Sequence, residues 1–460
     1  MFIDRIEEMN TLRMQYKSDA ASFVVIYGRR RTGKTTLISE FQKEVGGLYF
    51  LATEESEGQN LRLFRQEAAD FLHNNLLGMS EVGWEMVFRQ LADAAKEKRI
   101  VIAIDEFQYI ARSNSAFISV MQRIWDTILK DSNVMLILCG SLVNSMKKQV
   151  LDYDSPLYGR RTAQIRLKQI PFAYYKEFNT ELSKKELIEK YAVTGGIPKY
   201  IESFGNESNI YDGILNHVIN TQSYLYEEPL FLLQNEVSEI GSYFSLIKAI
   251  AMNNHKLSEI SSYLQIPQTG LTKYIKNLIE LDVITRVVPA TELNPEKSKS
   301  GLYFLNDNYL EFWFKFVYPY RSLIERGDKE YVLSKIKEGF VQNHVSYVYE
   351  RISREELKTM ASAGAWSFIP SIVGAYWGSE CGETDIVAYT PREDNLIIGE
   401  CKYTESEKGL GVLHKLEEKS KTLLRLTNTK NVYYIIFSTA GFTEALKAEV
   451  SGRADIILTE

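Results

Sequence analysis

The stretch GRRRTGKT at residues 28–35 decides the fold of this 460-residue chain. It directly follows the apolar run FVVIY at residues 23–27 and leads into a helix-like stretch at residues 35–43. The eight residues fit the pattern G-x-x-x-x-G-K-S/T in the strand-to-helix context that the pattern requires. Because the pattern arises by chance in only ~1–2% of chains of this length, a glycine-rich turn without a phosphate site is the weaker interpretation.

A loop of this kind binds phosphate because its backbone N–H groups and the following helix N-terminus face the anion. Lys34 is expected to contact the β- and γ-phosphate oxygens of ATP, and Thr35 to offer its hydroxyl to Mg²⁺. The nucleotide-binding residues predicted in this segment are Gly28, Arg29, Arg30, Arg31, Thr32, Gly33, Lys34, Thr35 and Thr36.

A second apolar run, IVIAIDE at residues 100–106, supplies the acids that a phosphate loop needs. Asp105 is expected to hold Mg²⁺ through water, and Glu106 to polarise the water that attacks the γ-phosphate. An Asp-Glu pair after a strand is, by itself, equally typical of a solvated turn. Its position downstream of the phosphate loop favours the catalytic interpretation.

Two further features point to the same site. The run VMLILCGS at residues 134–141 ends in Ser141, where a side chain that senses the γ-phosphate would lie; an ordinary strand-end serine fits nearly as well. Arg160 and Arg161 are candidate arginine fingers, and exposed structural arginines fit equally well. Ser141 and Arg160 are therefore added to the predicted nucleotide-binding residues.

Short apolar runs alternate with helix-like stretches in the first third, which predicts an α/β fold with a parallel sheet covered on both faces. We predict a P-loop NTPase core at residues 1–165 and a helical lid at 166–238, broken at TGGIP. A winged helix-turn-helix at 239–306, a connector at 307–338 and a C-terminal α/β domain at 339–460 follow.

Composition limits the function classes. The chain has 54 basic and 60 acidic residues and a net charge of -6, which excludes a general nucleic-acid coat protein and makes any DNA contact local. Its three cysteines form no C-x-x-C pair, which argues against a zinc ribbon or disulfide framework. No basic, apolar leader is visible, and the apolar runs are far shorter than the roughly 18 residues of a membrane span. We expect a cytoplasmic protein without membrane contact.

The winged-helix segment is the predicted DNA contact. Lys273 and Lys276 lie one turn apart on the predicted recognition helix, and Lys297 and Lys299 lie in the predicted wing, where phosphate contacts are made. A winged helix that serves only as a protein interface or an extension of the lid remains the alternative.

The sequence resembles the archaeal ATPase family, a branch of the AAA+/STAND P-loop ATPases. Besides the phosphate loop, the matching motifs are F-x-x-R from Phe2, IDEFQ at residues 104–108, CGS at 139–141, LYGR at 157–160 and TGGIPKY at 194–200. The resemblance implies that the opening motif lies near the nucleotide base and that the GGxP segment marks the lid. It also extends to the C-terminal domain, through FWFKFVYPYRSLIERG at residues 312–327.

A second set of acids occurs in ETDIVAYTPREDNLIIGECKY at residues 383–403, which predicts an antiparallel hairpin. If Asp385 pairs with Glu400, the two Cβ atoms lie ~5 Å apart, and Glu383 faces Lys402 on the same side of the sheet. Two carboxylates this close repel each other, and Mg²⁺ or Mn²⁺ would relieve the repulsion.

This spacing resembles the PD-(D/E)xK nuclease core and implies a restriction-endonuclease-like domain. By that resemblance Glu350, Asp385 and Glu400 bind a metal ion, and Lys402 positions or activates the attacking water. Thr384 replaces the proline of the motif. A solvated ion-pair face on a hairpin remains the alternative.

The sequence thus predicts an ATP-binding and ATP-hydrolysing enzyme that acts on DNA, with a Mg²⁺-dependent endonuclease activity as a second function. The alternative is a nucleotide-dependent signalling switch or scaffold whose terminal domain binds DNA or protein without cleavage. A transcription regulator that works through the winged helix is a third, weaker hypothesis. A protein partner and homo-oligomerisation are both left open.

Overall fold

The computed structural model describes residues 2–205, 207–234, 236–237 and 239–460. The chain divides into two compact units. The first unit comprises Met1–Ile170, Ile197–Glu202 and Leu230–Ser238, and the second comprises Pro171–Gly196, Ser203–Pro229 and Glu239–Glu460.

The first unit is built on a five-stranded parallel sheet with the strand order β2-β3-β4-β1-β5. Its strands are β1 (Ser22–Tyr27), β2 (Leu48–Leu51), β3 (Ile100–Asp105), β4 (Val134–Gly140) and β5 (Ala163–Arg166). Every residue of β1, β3 and β4 is buried, as expected for central strands covered on both faces. The sequence predicted four of these strands and missed β5, whose residues AQIR are too few and too polar to give a strand signal.

Helices cover both faces of this sheet. They are α1 (Ile6–Tyr16), α2 (Lys34–Val45), α3 (Glu57–Phe71), α4 (Asn75–Met79), α5 (Trp84–Ala94), α6 (Gln108–Ser113), α7 (Phe117–Ile124) and α8 (Val143–Met146), with π-helical turns at Trp125–Leu129 and Lys147–Leu151. Helix α2 packs Leu37, Ile38 and Phe41 into the core that contains Val24 and Ile137. This packing fixes the N-terminus of α2 at the end of β1.

The second unit is mainly helical up to its last third. Its elements are a 3₁₀ turn Phe172–Glu177, α9 (Lys184–Thr194), α11 (Ile210–Gly213), a π turn Ile214–Val218, α13 (Ile240–Ala251), α14 (Leu257–Leu264), α15 (Gln268–Glu280), α16 (Asn308–Phe312), turns Trp313–Val317 and Tyr318–Tyr320, α17 (Arg321–Glu325), α18 (Lys329–Phe340), a π turn Val341–Val345, α19 (Ser346–Ser362), α20 (Leu410–Thr427) and α21 (Glu444–Val450). Helices α10 (Pro198–Phe204) and α12 (Tyr224–Gln234) have residues in both units. As predicted, TGGIP interrupts the helices, because α9 ends at Thr194 and α10 begins at Pro198.

Helices α13 to α15 and the antiparallel pair β6 (Ile284–Val287) and β7 (Leu302–Leu305) follow the element order of a winged helix-turn-helix. The loop between β6 and β7 is anchored at Ala290, whose N–H donates to Ala375 O at 2.8 Å. Tyr389 Oη donates to Ala290 O at 3.1 Å. The base of the wing is therefore joined to the C-terminal sheet, which the sequence did not predict.

The C-terminal sheet has the strand order β12-β11-β10-β9-β8. Its strands are β8 (Ile372–Tyr376), β9 (Thr384–Tyr389), β10 (Asn395–Lys402), β11 (Asn431–Ser438) and β12 (Ile456–Thr459). Strands β8, β9 and β10 pair antiparallel, and β10, β11 and β12 pair parallel, with α20 as the crossover from β10 to β11. The predicted hairpin is confirmed. Ile386 lies opposite Gly399 at the end of the paired stretch, and Asp385 and Glu400 are the residues next to this pair.

Helix α9, which the sequence placed in the lid, packs within the second unit against residues near the C-terminal sheet. Tyr403 Oη donates to Glu189 Oε1 at 2.6 Å, and Lys184 Nζ lies 3.2 Å from Glu356 Oε2. Lys185 forms an ion pair with Glu405. The lysines of α9 thus pair with one acid on α19 and with one acid that follows β10.

No helix among the described residues is long and apolar enough to cross a membrane.

His344 is fully buried in the second unit, close to the carboxylate of Glu311. Its Nε2 lies 2.6 Å from Ala192 O, an acceptor, so Nε2 carries the proton. Burial lowers the pKa of His344 to about 4, although the carboxylate of Glu311, 3.9 Å from Nδ1, opposes the shift. The imidazole is therefore neutral in the folded protein at neutral pH.

We predict that the second unit loses stability as the pH falls from about 6.5 to 4. The unfolded chain takes up a proton on this histidine with its ordinary pKa near 6.5, while the folded chain does not, so protonation favours unfolding across this window. The loss attributable to His344 is on the order of 3 kcal/mol. Urea unfolding at pH 7, 6, 5 and 4 measures it.

The control for this prediction is His414→Gln, because His414 is an exposed histidine of the same unit. His344→Gln should flatten the acid slope of the unfolding free energy, and His414→Gln should leave the slope as it is in the wild type. Equal slopes in all three proteins would contradict the assignment.

Candidate functional site

The predicted phosphate loop lies between β1 and α2 in the first unit. Gly28 is required by space, since a Cβ there would lie 2.3 Å from Leu167 O. Gly33 has a φ of 92°, in the left-handed region that favours glycine, directly before Lys34 begins the helix. The loop geometry therefore depends on both glycines of the motif.

Lys34 points into the loop. Its Nζ donates to Gly28 O at 2.9 Å and to Arg29 O at 2.8 Å, and the side chain is buried. Burial lowers the pKa of Lys34, while the nearby charges of Glu106 and Asp105 favour the ammonium form. A buried cation enclosed by the loop is the arrangement expected at a phosphate site.

The acid at the end of β3 meets the first turn of α2. Thr35 Oγ1 donates to Asp105 Oδ2 at 2.7 Å, and Tyr49 Oη donates to the same oxygen at 3.0 Å. A hydroxyl and a carboxylate in contact, both hard oxygen ligands, fit a Mg²⁺ ion next to the loop. Tyr49 was not predicted as part of this site.

Glu106 follows directly and has a φ of 52°, in the left-handed region. Its Oε2 accepts hydrogen bonds from Ser141 Oγ at 2.7 Å, from the Ser141 N–H at 3.3 Å and from Gln108 Nε2. Ser141 and Gln108 are buried, whereas Glu106 is half-buried. The structure thus brings the predicted residues Lys34, Thr35, Asp105, Glu106 and Ser141 to one edge of the sheet.

The other predicted loop residues surround this edge. Arg30 donates to Tyr109 Oη at 3.0 Å, and Thr32 Oγ1 donates to Arg29 O at 2.9 Å. Arg31 is exposed with a φ of 66°, and Thr36 is exposed in the first turn of α2.

Two arginines have specific roles in positioning the chain. The buried Arg5 of the opening motif donates to Thr32 O at 3.1 Å and to Lys168 O at 2.7 Å, so it supports the phosphate loop from behind. Arg160 donates through Nε and Nη2 to both carboxylate oxygens of Asp126, at 2.9 and 2.8 Å. Its contacts are with Asp126 and nearby carbonyls rather than with the phosphate loop, which favours the structural interpretation of this arginine.

Pro198 of the TGGIPKY segment lies close to the phosphate loop in the first unit. A Cβ on Gly33 would lie 4.0 Å from Pro198 Cγ, an ordinary van der Waals contact. Pro198 therefore lies beside the last loop residue before Lys34.

The second acidic set lies on α19, β9 and β10 in the second unit. Asp385 Oδ2 accepts a hydrogen bond from the Cys401 N–H at 2.8 Å, and Glu400 Oε1 lies 2.6 Å from Lys402 Nζ. Burial raises the pKa of Glu350, with a further contribution from the charge of Asp385, and burial and Glu400 raise the pKa of Asp385 in the same way. The charges of Glu350, Asp385, Glu400 and Lys402 are therefore close enough to affect one another.

Cations already hold part of this acidic set. Glu400 Oε2 lies 3.8 Å from Lys419 Nζ, and Glu350 Oε2 lies 3.8 Å from Arg354 Nη1. Within residues 2–205, 207–234, 236–237 and 239–460, no three Asp, Glu, His or Cys side chains converge closely enough to form a ready metal site. Lys419 was not predicted, because it lies on α20, whose sequence gives no sign of contact with the hairpin. Arg354 follows Glu350 by one turn on the same helix, α19.

The comparisons with known proteins agree with this architecture. Residues 2–204 match a family described as an ATPase domain predominantly from Archaea, and residues 313–418 match a family of archaeal and bacterial proteins of unknown function. The uncharacterized protein MJECL04 of Methanocaldococcus jannaschii is 33% identical over 438 residues, 95% of each chain. The uncharacterized ATP-binding protein MJ0423 of the same organism is 44% identical over 41 residues, 9% of this chain and 70% of that one.

Among solved structures, the Walker-type ATPase PABY2304 of Pyrococcus abyssi superposes with a TM-score of 0.54 at 21% identity, over 68% of this chain and 96% of that chain. This similarity shows the fold alone. The fold and the phosphate loop define a P-loop ATPase, and the chain belongs to the archaeal ATPase family. The predicted resemblance to that family is confirmed.

We predict that Lys34→Ala lowers the affinity for Mg²⁺-ATP by about 100-fold or more, because it removes the buried cation that pairs with the phosphate oxygens. Titration of a fluorescent ATP analogue, with thermal unfolding to confirm the fold, measures the effect.

The matched control is Lys43→Ala on the same helix, where the exposed lysine pairs with Glu40 at 2.7 Å. This variant should bind ATP as the wild type does. Unchanged affinity in Lys34→Ala would show that the phosphate loop does not bind the nucleotide.

Proposed function

We propose that this P-loop ATPase uses ATP binding and hydrolysis to act on DNA, through its winged helix and a metal-dependent nuclease-like domain. The observation that carries the proposal is that the charges of Glu350, Asp385, Glu400 and Lys402 affect one another. These residues lie in the same chain as the ATPase residues. The antiparallel pairing of β9 and β10, which carry Asp385 and Glu400, supports the proposal.

At the ATPase site, Lys34 would contact the β- and γ-phosphates, and Thr35 and Asp105 would hold Mg²⁺. The metal ion neutralises charge on the phosphate oxygens when it is bound. Glu106 would accept the proton of the attacking water, and Ser141 would contact the γ-phosphate. The hydrogen bonds from Thr35 to Asp105 and from Ser141 to Glu106 support this assignment.

At the second site, Glu350, Asp385 and Glu400 would bind Mg²⁺ or Mn²⁺. The burial-driven rise in the pKa of Glu350 and of Asp385 indicates that their charges are costly without a cation. Lys402 would then leave Glu400 and turn to the scissile phosphate or to the attacking water.

Helix α9 lies beside the second site. Its Glu189 accepts a hydrogen bond from Tyr403, the residue after Lys402. The ring of Tyr403 lies 5.9 Å, edge-on, from that of Tyr349, the residue before Glu350. Helix α9 therefore contacts the residue that follows Lys402, and that residue packs against the neighbour of Glu350, all within the second unit.

The lysines of the winged helix differ in whether an acid pairs with them. Lys276 on α15 and Lys297 and Lys299 in the wing are exposed. Lys273, on α15 as well, is paired with Glu239 at 3.4 Å, so its charge is partly neutralised. We assign the phosphate contacts to Lys276, Lys297 and Lys299 rather than to Lys273, which is exposed as well but is already paired with an acid.

The alternative function is a nucleotide-dependent switch or scaffold that binds DNA or protein without cutting it. The observation that favours it is the set of cations on the second acidic site, since Lys402 and Lys419 both approach Glu400 and Arg354 approaches Glu350. Acids that are satisfied by protein cations have less need of a metal ion.

We predict that the wild-type protein cuts plasmid or linear DNA in Mg²⁺ or Mn²⁺, and that Glu400→Ala lowers the rate by about 100-fold or more, because the variant lacks a metal ligand. Gel analysis of the products over time, with ATPase activity measured in parallel, tests this.

The matched control is Glu393→Ala, an exposed acid in the turn of the same hairpin. It should cut DNA as the wild type does. Equal cleavage by the wild type and Glu400→Ala would contradict the nuclease. An absence of cleavage in all three proteins, with ATP-dependent DNA or protein binding, would support the switch instead.

We also predict that the triple substitution Lys276→Ala, Lys297→Ala and Lys299→Ala weakens binding to duplex DNA. The slope of log affinity against log salt should become shallower by about 0.9 for each phosphate that the variant no longer neutralises. Fluorescence anisotropy at several salt concentrations measures both quantities.

A control with the same change in charge is Lys17→Ala, Lys43→Ala and Lys96→Ala, three exposed lysines of the first unit. Its salt slope should equal that of the wild type. If both triple variants show the same decrease in affinity and slope, the binding is a general charge effect and the winged helix is not the DNA contact.

A further inference from the structure

The carboxylate of Glu106 is held on one side only. Three hydrogen bonds, from Gln108 Nε2, Ser141 Oγ and the Ser141 N–H, all end on Oε2. Among the described residues no hydrogen bond reaches Oε1 of this half-buried side chain. One oxygen is thus fixed by the protein, and the other is left to accept a proton from water.

The hydroxyl of Ser141 has a single proton, so it cannot donate to Glu106 and to a γ-phosphate oxygen at the same time. If Ser141 turns to the phosphate, the donors that remain on Oε2 are its own N–H, at the longer distance of 3.3 Å, and the amide of Gln108. Gln108 is then the only side chain of this set that still holds Glu106.

The space for the Gln108 amide is provided by Gly140 at the end of β4. A Cβ on Gly140 would lie 2.3 Å from Gln108 Oε1 and 2.4 Å from Met146 Sδ. Gln108 is fully buried at the start of α6, next to the turn in which Phe107 N–H donates to Cys139 O at 2.9 Å. Its amide therefore has little freedom to leave the carboxylate.

We propose that Gln108 is a positioning residue for ATP hydrolysis: it holds Glu106 by Oε2, so that Oε1 stays available to the attacking water when Ser141 is engaged by the γ-phosphate. In the step, the water oxygen bonds to the γ-phosphorus, the bond from that phosphorus to the β,γ-bridging oxygen breaks, and the water proton passes to Glu106 Oε1. Gln108 would act through Glu106, without a contact of its own to the nucleotide or the metal ion. The inference rests on the proposed role of Glu106.

The test is a double-mutant cycle on the full-length protein with Gln108→Met, Glu106→Gln and the two combined. Methionine keeps the length of the side chain and removes the donor. We expect Gln108→Met to lower kcat for ATP hydrolysis by about 10-fold or more, since it removes a hydrogen bond to a charged group. The Kd for the ATP analogue should stay within about twofold of the wild type, because binding is not involved. In the Glu106→Gln background the same change should have no further effect on kcat.

The matched control is Gln42→Met, which also removes one amide hydrogen bond in the first unit, from Nε2 to Leu48 O at 3.2 Å, away from Glu106. Its kcat should be that of the wild type. If Gln108→Met does not fold, Gln108→Glu serves, since it keeps the shape and replaces the donor by a second carboxylate that repels Glu106; kcat should fall in the same way.

The outcomes separate the two roles. If Glu106→Gln leaves kcat unchanged, the proposed role of Glu106 is wrong, and the inference about Gln108 falls with it. If Glu106→Gln lowers kcat but Gln108→Met does not, the inference alone is overturned. It is also overturned if Gln108→Met lowers kcat by the same factor in both backgrounds, or raises the Kd in parallel, because Gln108 would then act on something other than Glu106.

Discussion

The alignment of three buried parallel strands is the constraint on which the first unit depends. Pairing of β1 with β4 and of β4 with β3 brings the ends of these strands to one edge of the sheet, at Tyr27, Gly140 and Asp105. The phosphate loop, the two acids and Ser141 leave the sheet at this edge. The hydrogen bond from Thr35 to Asp105 then joins the first turn of α2, which follows β1, to the end of β3. Strands β1 and β3 are not neighbours in the sheet, because β4 lies between them. Every contact assigned to nucleotide chemistry follows from this alignment.

The second unit also brings acidic residues together, but it uses different elements to do so. An antiparallel hairpin supplies Asp385 and Glu400, and a helix from earlier in the chain supplies Glu350. Buried acids in one place are costly, and the structure offsets the cost with Lys402, Lys419 and Arg354. The same cations that stabilise the protein would compete with a metal ion. Because of this competition, the same residues are compatible with DNA cleavage and with binding that does not cleave. The cleavage assay distinguishes the two functions.

Helix α9 is bound within the second unit. The sequence assigns it to the helical lid predicted at residues 166–238. In the structure its lysines and Glu189 contact Glu356, Glu405 and Tyr403 of the second unit. These contacts place α9 beside residues that flank the second acidic set.

The sequence by itself determined the phosphate loop, its two acids, four of the five strands around them and the C-terminal hairpin. These features depend on local patterns: residue types at fixed spacing, apolar runs of strand length, and a period of two along each strand. Strand β5 gave no such pattern. The tertiary structure alone decided that Arg160 binds Asp126, that Gln108 holds Glu106, that Lys419 reaches Glu400, and that the wing is anchored at Ala290. Each of these contacts joins side chains whose approach is set by packing between elements, for which the local sequence carries no period or spacing.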